Sequence, residues 1–367
     1  MSSPRVLALR VASFGLPGAP PMINDIPLGE NEWGPLRDEV ARTRITGHFV
    51  AALEAGAFAS TDAQRAEAMR SHERALALDL VLERLLVHAG RRFDAAAIEY
   101  RALKGTALSH TVYSRPELRS YGDIDLLVRG KQYDDALALL VEAGGRPHFG
   151  EPRPGFTRLF GKGVCVAMNA LEIDVHRSFV AGPFGLSIDT DDLFANPIAV
   201  PLAGTEVPAL PAVPRFLHAC YHAALGDRVA RPVALRDVAQ ILTTTHLEHD
   251  EVMATARRWR GEIVVQRAVL LAWLGLGLTA ENPLLRAVLA AHPKGSERRA
   301  LQAYVGTGHS YATQAAAGIW ALPGVRARAA YASALLLPNR EYARERDGYL
   351  ARWRRAGALV RDGRPVR

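Results

Sequence analysis

The chain is short of lysine and of cysteine, and its apolar runs are short. Lysine occurs only at 104, 131, 162 and 294, so the rest of its 45 basic residues are arginine. With the alanine richness this skew points to a GC-rich genome, and it makes a lysine inside a motif hard to attribute to chance. The two cysteines, Cys165 and Cys220, cannot build a disulfide framework and lack metal-ligand spacing. They read as reduced core residues of a cytosolic protein. The apolar stretch Ala268–Ala280 is cut off upstream by Gln266 and Arg267, well short of the roughly 20 residues a bilayer requires. Arg5 and Arg10 interrupt the first apolar stretch, which makes a poor signal peptide. The expectation is a soluble, cytoplasmic protein with no membrane partner. Internal repeats and low-complexity segments are absent too.

What is present is ordinary globular composition: 367 residues, 49% hydrophobic and 23% charged. That length buries a sizeable core and suggests two domains. The net charge of +7 and pI near 9.6 favour anionic partners such as nucleotides or RNA, without amounting to a nucleic-acid signature.

The informative stretch is Leu103-Lys104-Gly105-Thr106 followed by Gly122-Asp123-Ile124-Asp125-Leu126-Leu127-Val128. Strand side chains alternate, so Asp123 and Asp125 point one way while Ile124 and Leu126 point into the opposite, buried side. Two adjacent carboxylates repel and raise each other's pKa unless a positive charge lies between them. A divalent cation resolves this most simply, and oxygen-only sites with few protein ligands suit Mg²⁺, which completes its shell with water and phosphate oxygens. A D-x-D pair alone more often caps a helix or lies on a solvated edge. Here it is embedded in Ile-Leu-Leu-Val, a Lys-Gly-Thr turn precedes it, and further acids follow in Leu171-Glu172-Ile173-Asp174-Val175-His176.

In chain order, residues 1–33 are rich in Pro and Gly and read as an irregular lead, and 34–94 as N-terminal helices. The second of these starts after Ser60-Thr61-Asp62 and stops at Gly90. Residues 95–213 form an α/β core: a strand over 97–103, a turn at Lys104-Gly105, a short helix, a strand over 123–128, an amphipathic helix over 131–143 and paired strands over 163–169 and 171–179. Residues 214–367 read as a C-terminal helical domain. The expected class is α+β, a mixed sheet core flanked by helices.

The strand ending in Lys-Gly-Thr, then Arg119-x-x-Gly122-Asp123-Ile124-Asp125, then an apolar-flanked acid followed by His176, resembles the nucleotidyltransferase superfamily related to DNA polymerase β. More narrowly, it is similar to the bacterial family labelled "uncharacterised nucleotidyltransferase", over roughly residues 95–245. The resemblance implies a nucleotidyltransferase-type sheet and transfer of NMP from an NTP, with ATP among the candidate nucleotides. It implies two Mg²⁺ ions on Asp123, Asp125 and Asp174, the arrangement that stabilises attacking and leaving oxygens together. Lys104, Gly105, Thr106, Arg119 and Gly122 would hold the triphosphate. The superfamily's usual Gly-Gly or Gly-Ser turn is Gly105-Thr106 here. Glu172 competes with Asp174 for the third-carboxylate role, since both lie on one strand face; Asp174, flanked by Ile173 and Val175, is favoured.

His176 either orients a carboxylate or is a satisfied strand histidine. His218 and His222, four apart, read as packed helix residues before metal ligands. Arg236-Asp237 reads as a helix-surface ion pair, and the C-terminal arginines as a solvated end with RNA contact as the other reading. The acceptor is expected to be a small molecule, peptide or protein. The alternatives are RNA or tRNA, as in a toxin, and a non-catalytic nucleotide-binding scaffold.

Overall fold

A computed structural model describes residues 3–22, 25–306 and 311–345. The tail arginines 352, 354, 355, 361, 364 and 367 lie outside them.

The lead is not irregular. Ser3 caps helix α1 (Pro4–Ser13), its hydroxyl accepting from Val6 N, with proline in the first turn. Ala8, Val11 and Ala12, at i, i+3 and i+4, are buried. The breaking residues Pro17, Gly18, Pro20 and Pro21 all follow the helix, so they end it without preventing it. Helices α2 (Glu30–Arg42) and α3 (Thr46–Glu54) are separated by a break where Arg44 takes a φ of 61°. Helix α4 (Asp62–Ala95) opens with a capping box between Thr61 and Gln64. It runs through Gly90, because a Cβ there would stand 2.3 Å from the Tyr100 hydroxyl. That glycine serves close packing and not termination.

The sheet has seven strands in the order β3-β4-β5-β2-β1-β7-β6. They are β1 (Tyr100–Leu103), β2 (Ile124–Val128), β3 (Arg146–Pro147), β4 (Gly163–Met168), β5 (Leu171–His176), β6 (Ile198–Leu202) and β7 (Thr205–Ala209). β2 runs parallel to β5 and antiparallel to β1, so the sheet is mixed and the fold is α+β. Helices α5 (Lys104–Thr111), α6 (Tyr133–Glu142), α7 (Phe156–Phe160) and α8 (Pro183–Leu186) lie in the connections. Then come α9 (Ala212–Leu225), α10 (Pro232–Thr244), α11 (His249–Arg258) and α12 (Glu262–Leu276), followed by further helices up to residue 345.

Strand alternation sorts the sheet into two faces. Ile124, Leu126, Val128, Ile173 and Val175 pack with α4 and α6 side chains such as Leu86, Phe93 and Leu140. On the other face Leu103 and Leu127 join a larger core, which also contains α1, α2, α3, α9, α10 and α12. The helices before and after the α/β segment therefore share one apolar core. Among the described residues no helix is long and apolar enough to cross a membrane.

Candidate active site

The acidic side chains stand on the second sheet face, where strand alternation puts them. Parallel pairing of β2 and β5 sets Asp125 beside Asp174 and Leu127 beside His176. Oxygens of Asp125 and Asp174 and a ring nitrogen of His176 all lie within 4.8 Å of one another. Asp125 is buried, and its Oδ1 accepts from His176 Nε2 and meets the Lys104 ammonium, both at 2.7 Å. Those partners overcome the burial penalty and hold its carboxyl well below the usual range. Burial first, then Lys162, lowers the His176 pKa, which favours a neutral ring with its proton on Nε2. Its Nδ1 is buried without a hydrogen-bond partner.

Asp123, just ahead of β2, lines the cleft beside this cluster. Burial and then the Asp125 charge raise its pKa, while Lys104 and Arg44 pull it back. A carboxylate held up by its acidic neighbours is short of positive charge. Mg²⁺ takes oxygen donors, and the oxygens of Asp125 and Asp174, within 4.8 Å of each other, could supply them, with Asp123 lining the cleft alongside but outside that close group. The donor set fits that ion.

Lys104 holds its place through a strained turn. Its φ is 38°, a left-handed value that non-glycine residues rarely adopt, and it converts β1 directly into α5. The N-cap position of α5 is Leu103, which makes no side-chain cap, and the first turn behind it is buried.

The cleft has a volume of about 440 Å³. Lys104, Asp123 and Lys162 line it together with His218 and His222 of α9 and with Asp227, Arg228 and Arg231. Two of the chain's four lysines thus meet at one site. Burial and the nearby Lys104 charge lower the Lys162 pKa. His218 stacks on Phe179 with centroids 4.5 Å apart, and burial keeps both helix histidines well below their ordinary pKa.

The loop before β2 is fastened from two sides. The backbone N–H of Tyr121 donates to Asp79 Oδ1 of α4 at 2.9 Å. Burial pushes the Asp79 carboxyl up to about 7, from an ordinary 3.8. An acid with a raised folded pKa stabilises the fold while both states are protonated. As pH climbs from about 4 to about 7 the unfolded chain ionises first, and that stability is lost. Asp79→Asn is expected to match the unchanged protein near pH 4 and to exceed it above pH 7 by on the order of 2–4 kcal/mol. Urea midpoints across that range check this, and a parallel pH dependence in both proteins would refute it.

On the other side, the Arg44 guanidinium lies against Gly122, where a Cβ would fall 1.9 Å from Nη2. Gly122→Ala must push the arginine aside and withdraw its charge from Asp123. Because the obstructing atom ends a flexible side chain, the fold should lose only about 1 kcal/mol, with a larger proportional loss of NTP affinity. Thermal melts and calorimetry separate the two. Unchanged NTP affinity would detach Arg44 from the site.

Several expected positions are therefore revised. Arg119 does not border the cleft. Its Nε and Nη2 donate to the two Asp237 oxygens at 2.8 and 2.9 Å, fully buried beside Tyr113, whose hydroxyl also donates to Asp237. Asp237 is correspondingly no surface partner of Arg236, which is buried and donates to Ala12 O, Phe14 O and Gln240. Thr106 is buried, and a Cβ at Gly105 would meet the Tyr121 side chain at 2.7 Å. Those two positions pack the turn. His218 packs as expected, buried against Phe179, and both helix histidines also line the cleft. Sequence reasoning missed Arg44 and Lys162. The first left no local signal, while the rarity of lysine could have flagged the second.

A mixed sheet thus sets neighbouring acids beside a lysine-lined cleft. The chain belongs to the family described as "Uncharacterised nucleotidyltransferase", which matches residues 29–276, and it is an enzyme of nucleotidyl transfer. Among solved structures, the antibiotic-resistance factor ANT(2'')-Ia is similar at 15% identity and a TM-score of 0.34, over 49% of this chain and 91% of its own. An antigenic nucleotidyltransferase-like protein from Paracoccidioides brasiliensis is similar at 15% identity and a TM-score of 0.33, over 56% and 94%. No curated protein matches.

Proposed function

We propose that this enzyme moves NMP from an NTP, ATP among the candidates, onto a hydroxyl or phosphate of a small-molecule, peptide or protein acceptor in the cytoplasm, with Mg²⁺ as cofactor. The observation that carries the reading is that Lys104, Asp123 and Lys162 line one cleft while Lys104 pairs with Asp125, which stands beside Asp174. Asp123, Asp125 and Asp174 would hold the metal, which when bound neutralises triphosphate charge and polarises the transferred phosphoryl group. Lys104 and Lys162 add fixed positive charge where the leaving pyrophosphate accumulates negative charge. His176 orients Asp125 by donating from Nε2.

Incubation with each α-labelled NTP, a cell extract and Mg²⁺ should label an acceptor, and chelation should stop the labelling. Failure with all four NTPs would favour the nucleotide-binding scaffold. A product destroyed by ribonuclease would move the acceptor to RNA, and Arg228 and Arg231 of the cleft lining would then be the residues to vary.

A further inference from the structure

The face that carries Asp125 and Asp174 continues toward the sheet edge into a second set of donors. The backbone N–H of His148 donates to Cys165 O at 2.9 Å, so the β3–β4 ladder extends one residue past Pro147 and sets His148 opposite Cys165. Cys165 stands opposite Asp174, and Glu172 precedes Asp174 by two residues, on the same face. One nitrogen, one sulfur and one oxygen thus come from neighbouring hydrogen-bonded segments, and they all lie within 4.8 Å of one another. His148 Nε2 and Glu172 Oε1 are 3.7 Å apart. Ligand atoms around a tetrahedral zinc, with bonds of about 2.0–2.3 Å, stand roughly 3.3–3.8 Å from each other.

We propose that His148, Cys165 and Glu172 bind a thiophilic divalent cation, with Zn²⁺ the best match, at a site distinct from the Mg²⁺ carboxylates. Sulfur and imidazole select zinc over magnesium, whose preference is for oxygen alone. Three protein ligands leave the fourth tetrahedral position to water. His148 and Glu172 are exposed, which gives the ion a path in. Binding forms a sulfur–metal bond and releases the thiol proton to solvent; nothing is oxidised or reduced. Cys165 stands opposite Asp174, so filling the outer site sets a cation next to the acid cluster. The metal site itself is independent of whether the transfer reading holds.

The full chain, stripped with a chelator and kept in excess Mg²⁺, is titrated with Co²⁺ while absorbance is followed. One equivalent should produce a thiolate-to-cobalt charge-transfer band that Zn²⁺ abolishes and further Mg²⁺ does not. Cys165→Ser should remove the band, and Cys220→Ser, at a fully buried helix position, should keep it. His148→Gln and Glu172→Gln should each weaken Co²⁺ affinity roughly tenfold or more, with circular dichroism confirming the fold. No band, or a band that survives Cys165→Ser, overturns the proposal. So does affinity unchanged by both His148→Gln and Glu172→Gln, which would leave a lone adventitious thiol. Loss on Asp174→Asn with no effect of Glu172→Gln would place the ion in the acid cluster and overturn it equally.

Discussion

Asp174→Asn should leave Mg–NTP affinity near that of the unchanged protein and lower transfer by roughly 10²–10³-fold or more. Asp123→Asn should lose both binding and transfer, because Asp123 lines the cleft directly. Glu172→Gln should cost far less than either. Register is the reason: β5 pairs with β2 so that Asp174, not Glu172, stands beside Asp125, while Glu172 faces His148 at the sheet edge. A side chain needed only in the transition state appears in turnover and not in substrate affinity. Calorimetry with NTP and transfer of label, run in parallel on the three variants, make the comparison. Should Asp174→Asn keep transfer while Glu172→Gln loses it, the third carboxylate moves two residues upstream. If neither matters, the three-carboxylate reading fails.

The second large effect is on stability. Arg119→Met should destabilise the fold by about 3–5 kcal/mol, and Asp237→Asn by a similar amount, because each leaves its partner's charge buried and uncompensated. The pair joins the loop before β2 to α10, 118 residues apart in sequence, with both side chains less than a tenth exposed. Chemical denaturation should show the loss, and NTP affinity of the folded variants should hold. An unchanged denaturation midpoint with lost NTP binding would return Arg119 to the nucleotide site.

What the sequence by itself determined follows from local rules. The period-2 alternation of Gly122–Val128 and Leu171–His176 decides which side chains share a face, and the structure keeps Ile124 and Leu126 opposite Asp125. The Thr61 start of α4 was legible because capping depends on side chains within one turn. The family was legible too, and the match over residues 29–276 bears it out.

Tertiary structure decided the rest. Gly90 looks like a helix stop until Tyr100 packs on it, and Gly105 looks like a phosphate turn until Tyr121 does. Arg119 looks like a triphosphate ligand until α10 brings Asp237 to it. Arg44 lies against Gly122, and Lys162 reaches a cleft that His218 and His222 of α9 also line; no local pattern announces where these segments converge. The physical reason is range. Backbone periodicity and capping act over a few residues, whereas charge compensation and close packing depend on whichever distant group the fold brings within a few ångströms.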